Sequence, residues 1–141
     1  MIILGVRLTD FTSKETMESK GWSFNWNDEN VFASGDERCK RVPKNSYCGY
    51  RKDGQGTISY TFRNGSSGVA TLRYGQSSDK GSVSITKNDI VMESRNTRGD
   101  SKISFEYAAF DVLQIDQLGE SVINIHSLTL DIIGMFNVQY M

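Results

Sequence analysis

The 141-residue chain carries one histidine, two cysteines and 17 carboxylates, and these set the chemistry open to it. Any Ser-His-Asp or Cys-His relay would have to run through His126. That residue stands in an alternating apolar stretch, Ile123-Asn-Ile-His126, where a hydrogen-bonded structural imidazole is the expected role. The sequence holds no His-Glu-x-x-His and no Gly-x-Ser-x-Gly. Gly49-Tyr-Arg-Lys-Asp-Gly54 has the glycine spacing of a phosphate loop but is followed by Gln55, and Gly54-Gln-Gly56 opens a dinucleotide fingerprint that lacks its third glycine. A pair of carboxylates could hydrolyse a glycoside, since acidic residues are plentiful, but only the fold sets their separation. The reading is non-catalytic. Asn25-Trp-Asn-Asp-Glu-Asn30 supplies oxygen donors without the glycine and distant glutamate of a calcium loop, and is expected to be a polar loop.

Cys39 and Cys48 bracket Val42-Pro43-Lys44-Asn45, a segment able to turn back on itself. Closing so short a loop would stabilise the fold by roughly 2–3 kcal/mol in the chain-entropy view. With no further Cys and no nearby His the spacing suits zinc poorly, and Asn64-Gly-Ser66 is a glycosylation sequon. Together these predict a Cys39–Cys48 disulfide and an extracellular or secreted setting.

Sixteen basic against 17 acidic residues leave a net charge of −1, which excludes nucleic-acid binding by bulk electrostatics. Arg38, Lys40, Arg41, Lys44, Arg51 and Lys52 nonetheless cluster in one stretch, and the segment after Asp100 is acidic apart from Lys102. The chain has no apolar run long enough for a bilayer, so no membrane insertion is expected. Met1 to Leu4 is too short an apolar start for a signal peptide, so any secretory signal is expected outside this sequence.

The elements that must position these residues are strands. Val6/Leu8, Trp22/Phe24/Trp26, Ile58/Tyr60/Phe62, Ala70/Leu72/Tyr74, Val83/Ile85, Ile103/Phe105/Tyr107 and Leu113/Ile115 all alternate with polar neighbours, the period of a half-buried strand. Gly, Asn, Ser and Asp fill the intervals, at Asn64–Gly68, Gly75–Gly81, Lys87–Asp89 and Ser94–Lys102. Thr12-Ser-Lys-Glu15 fits a capping box and Gly21 a C-terminal stop, which predicts a turn or two of helix after the first strand. Near the end Ile123 and Ile125 are odd while Leu128, Leu130 and Ile132 are even, so a β-bulge is expected at His126-Ser127. The sum is one all-β domain over residues 1–141, a β-sandwich jelly roll of about eight strands with one short helix after the first.

Gly54–Phe62, Gly68–Tyr74, Gly81–Ile85 with its turn at Asn88, Phe110–Ile115 and Ile123–Leu130 together resemble the galactose-binding-domain-like jelly rolls, which include many carbohydrate-binding modules. Asn88-Asp89 stands where that pattern has Asn-Gly, and Phe110-Asp111 lacks its usual glycine. The resemblance implies a ligand-binding module and a structural calcium beside the paired first and last strands, which would fall to Asp10 and Asp131; Arg7 and Thr9 replace the usual acidic residues. It implies no other cofactor.

The expected function is therefore non-catalytic, lectin-like binding of a glycan. A sugar offers an apolar C–H face ringed by hydroxyls, and so needs an aromatic platform with directional polar groups beside it. Tyr47 and Tyr50 flank Cys48 in a stretch rich in Lys, Arg and Gly, and Arg51, Asp53 and Gln55 follow; these five are the expected ligand residues, with Trp22 and Trp26 as rivals. The alternative is an adhesion or self-assembly module with a protein partner, suggested by the opposite charge clusters and by Arg98-Gly99-Asp100, expected in a long mobile loop.

Overall fold

The period-two runs form two antiparallel sheets in the computed structural model, which describes residues 2–8, 14–25, 47–51, 55–63, 67–76, 80–119 and 121–134. The elements are β1 (Ile2–Leu8), α1 (Lys14–Ser19), β2 (Trp22–Asn25), β3 (Tyr47–Arg51), β4 (Gln55–Thr61), β5 (Gly68–Gln76), β6 (Gly81–Lys87), β7 (Ile90–Arg95), β8 (Gly99–Tyr107), β9 (Val112–Gly119) and β10 (Ser121–Gly134). One sheet runs β1-β10-β5-β8, and the other β2-β4-β9-β6-β7. The long β10 pairs with β5 along one edge, and its other edge takes β3 against Ser121–Ile125 and β1 against Leu128–Gly134. First and last strands thus pair, as in a jelly roll.

Side chains alternate faces along a strand, so residues directly opposite one another share a face. Ile58, Tyr60, Val83, Ile85, Leu113 and Ile115 of one sheet meet Ala70, Leu72, Tyr74, Ile123, Ile125 and Leu128 of the other, all buried. The ring of Phe62 stacks on Tyr107 at 4.3 Å between centroids and meets Tyr60 edge-on, closing one end of the core. Helix α1 contributes Met17, which is fully buried, and ends at Gly21, whose φ of 108° suits glycine and whose N–H bonds the Glu18 carbonyl. Thr12 lies outside the described residues.

The expected bulge is present. Ile125 sits opposite Tyr74 and Ser127 opposite Arg73, so His126 is the extra residue that lets both the odd Ile pair and the even Leu pair face inward. Asn88 and Asp89 join β6 to β7 with φ of 51° and 66°, the left-handed pair of a tight hairpin turn.

The expected sandwich of about eight strands with one short helix is present, with ten strands among the described residues; β3 lacks apolar alternation, and β7 is an edge strand with Ile90 and Val91 exposed, so neither carries the full period-two signature. One expectation needs correction: the segment Ser94–Lys102 is no long mobile loop. β7 runs to Arg95 and β8 starts at Gly99, so Gly99 and Asp100 belong to a strand, opposite Gln76 and Gly75, and only Arg98 of the tripeptide lies in the connection. A strand-bound Asp100 cannot present the flexible loop that the adhesion reading required.

Candidate ligand-binding face

The outward face of the second sheet is built from two rows of directly opposed residues. Asn25, Thr57, Asp116, Ser84 and Ser94 form one, across all five strands, and Ser23, Ser59, Gln114, Thr86 and Val91 form the other. Both face outward because their strand neighbours Trp22, Ile58, Tyr60, Val83, Ile85, Leu113 and Ile115 are buried in the core. Solvent faces of antiparallel sheets are polar. Apart from Val91 these two rows carry hydroxyls and amides, and Asp116 is the one charged side chain in them.

Asp116 is held in place. It accepts from the Thr57 hydroxyl at 2.8 Å and from the Gln114 amide at 3.0 and 3.2 Å. All three side chains are half-buried, so a carboxylate and its donors are fixed before any ligand arrives. Gln114 also lines a cleft of about 270 Å³ with Asn88, Asp89 and Val112.

That cleft lies where the β6–β7 hairpin meets the β8–β9 turn, and the two are tied together. Asn88 donates from Nδ2 to Asp111 at 2.9 Å and accepts at Oδ1 from the Val112 N–H at 2.9 Å, while its own N–H bonds the Val112 carbonyl. The Asn88 amide and the Ala108 N–H hold the Asp111 carboxyl below the usual carboxylate range. Beside this knot Phe110 has φ of 68° and remains 65% exposed, its N–H bound to the Phe62 carbonyl. A left-handed backbone under a large aromatic costs roughly 1–2 kcal/mol, so the turn's hydrogen bonds hold this ring outward against local preference.

The residues expected from the sequence fare differently. Tyr47 lies opposite Ile125, an inward position, and is fully buried, with its ring 5.6 Å from that of Phe24. It spans the two sheets as core and cannot serve as an exposed platform; the polar stretch around it masked a pairing register that turns it inward. Tyr50 and Arg51 lie on β3, opposite Val122 and Ser121, while Asp53 is outside the described residues. Gln55 opens β4 opposite Leu118, two positions before Thr57. Of the rivals, Trp22 is buried and tilted against Tyr60, and Trp26 lies outside the described residues. Cys48 is fully buried; Cys39 lies outside the described residues. The sequon at Asn64 also lies outside them.

Of the two residues that the resemblance names for calcium, Asp131 is exposed and stands opposite Gly5 on β1 and Val69 on β5, and Asp10 is outside the described residues. Among the described residues no three His, Cys, Asp or Glu side chains converge. None of their helices is long and apolar enough to cross a membrane.

Against known proteins, no family model and no curated protein matches the sequence. Solved structures do match. A mutant of a family 29 carbohydrate-binding module superposes with a TM-score of 0.51 at 12% identity, over 91% of this chain and 92% of that one. The fold is the galactose-binding-like jelly roll of carbohydrate-binding modules. A Clostridium thermocellum endo-1,4-β-D-xylanase, solved with its family 22 binding module and xylohexaose, matches with a TM-score of 0.50 at 11% identity, over 82% of this chain but 27% of that one. A family 35 module from Cellvibrio japonicus gives 0.48 at 14% identity, over 93% of this chain and 94% of that one. At these identities the likeness concerns fold. The sequence signals missed were Thr57, Gln114 and Asp116, whose polar alternation was legible but whose alignment into rows was not.

Proposed function

We propose that this chain is a non-catalytic, secreted carbohydrate-binding module that takes a glycan along the outward face of the second sheet. The observation that carries the reading is the pair of rows in which hydroxyls and amides surround one pre-fixed carboxylate, Asp116. Sugar hydroxyls donate well to a carboxylate and exchange hydrogen bonds with Ser, Thr and Gln, without the charge repulsion or desolvation that Lys- or Glu-rich faces impose. The cleft at Asn88, Asp89 and Gln114 continues this face to the β8–β9 turn, where the exposed Phe110 ring offers a C–H stacking surface. The Cys39–Cys48 disulfide is part of the proposal, and the full burial of Cys48 supports it, since a thiol so placed is kept from outside partners.

The test is retention on immobilised plant and microbial polysaccharides, by affinity electrophoresis and then calorimetry. Asp116→Ala and Gln114→Ala should each weaken binding at least tenfold while leaving the melting temperature within a few degrees. Retention that survives both substitutions and falls with Tyr50→Ala would move the site to the β3 edge. Absence of retention on any glycan would remove the carbohydrate reading.

A further inference from the structure

A cluster of polar side chains stands on the outward face of the other sheet. On the outward face of the first sheet Cys48, Asn124, Gly75 and Asp100 form one row across β3, β10, β5 and β8. The bulge in β10 places the extra residue, His126, beside this row, and its Nε2 lies 3.4 Å from Asp100 Oδ1. Gly75 leaves a notch at the centre. A Cβ built there would meet Asp100 Oδ1 at 2.3 Å, His126 Nε2 at 3.3 Å and the Asn124 amide nitrogen at 3.4 Å, so three polar side chains converge on one point that glycine keeps clear.

The distances suit a ligand set. At 3.4 Å the His–Asp contact is longer than the roughly 2.7–3.2 Å of an ordinary hydrogen bond. Two donors on a tetrahedral cation with bonds near 2.1 Å stand about 3.4 Å apart. Asn124 Oδ1 is buried with no hydrogen-bond partner, and a half-turn of the amide exchanges it with the nitrogen that faces the notch. That turn supplies a third donor. Asp100 is 79% exposed and His126 21%, so the approach from solvent is open and water can complete the coordination.

The geometry points to a first-row divalent cation site, zinc being the probe, formed by His126 Nε2, Asp100 Oδ1 and Asn124 Oδ1 over Gly75. One imidazole with two oxygen donors suits zinc, cobalt or nickel better than calcium, which takes six to eight oxygens. Arg73 and Lys102 sit one row away and are exposed, so their positive charge weakens cation binding and does so less at high salt.

Calorimetric titration of Zn²⁺ into the untagged protein, its cysteines alkylated if alkylation of the unreduced protein shows them free, so that no thiol competes, should show one cation per chain. His126→Gln and Asp100→Asn should each weaken binding at least tenfold, and Gly75→Ala should abolish it by filling the notch. The two conservative variants alter partly or fully exposed side chains, and circular dichroism checks that they fold. No saturable zinc binding by the wild type, or binding unchanged by His126→Gln, overturns the site.

Discussion

Deleting His126 should be tolerated, whereas deleting Thr129, three positions on in the same strand, should not. With His126 absent, Ile123, Ile125, Leu128 and Leu130 read in strict alternation, and Ile125 and Ser127 pair with the adjacent residues Tyr74 and Arg73 as a regular ladder. No buried side chain changes face. The loss is confined to the Asp100 contact and to closing the gap between β1 and β3 on the other edge, roughly 1 kcal/mol. Deleting Thr129 instead turns Leu130 outward, forfeiting roughly 1.5–3 kcal/mol, and turns Asp131 toward the core, where an unpaired carboxylate costs several kcal/mol more. Set against a typical total of about 5–15 kcal/mol, the second deletion removes most of the stability. Urea titration reads both. With a slope of roughly 1–3 kcal/mol per molar, the His126 deletion should move the midpoint by less than about 1 M, and the Thr129 deletion should leave little or no cooperative transition. Equal shifts for the two would refute the assignment of His126 as the residue that absorbs the phase change.

Three further outcomes follow from the packing. Tyr74 donates to the Glu93 carboxylate, which also accepts from Ser101 at 3.1 Å, and burial with this partner raises the Tyr74 pKa. Its contribution to stability is full below about pH 10 and lost as pH rises toward the folded value, so the urea midpoint should fall above pH 10, less steeply in Tyr74→Phe; an identical slope in that variant would dismiss the link. Asp111 is the opposite case: its lowered pKa contributes stability above about pH 3.9 that is lost as pH falls through the folded value. Asn88→Gly keeps the left-handed turn but removes both side-chain bonds, and should cost roughly 1–2 kcal/mol and raise the midpoint of acid unfolding; unchanged acid unfolding would show that the knot is not what holds Asp111. Finally, alkylation of the native, unreduced protein followed by intact-mass measurement should add no label, and reduction should expose two sites. Two labels without reductant would exclude the Cys39–Cys48 bond.

The amino-acid order alone determined what is local. Alternation at Ile58/Tyr60, Ala70/Leu72 and Leu113/Ile115 marked strands and their inward faces, and the odd-to-even switch around His126 marked the bulge, because side chains on a strand repeat every two residues whatever the strand pairs with. Lys87-Asn-Asp89 marked the hairpin, since Asn and Asp tolerate a left-handed backbone. What the tertiary structure decided were the neighbours. Tyr47 reads as a surface tyrosine among lysines and arginines, yet pairing with Ile125, 78 positions away, turns it into the core. Asp100 reads as a loop residue, yet β5 holds it in a strand. The row Asn25-Thr57-Asp116-Ser84-Ser94 gathers five separate strands, and the convergence on Gly75 gathers three. Register between distant strands follows from the collective burial of both sheets, and no short stretch of sequence encodes which polar side chains that burial leaves side by side.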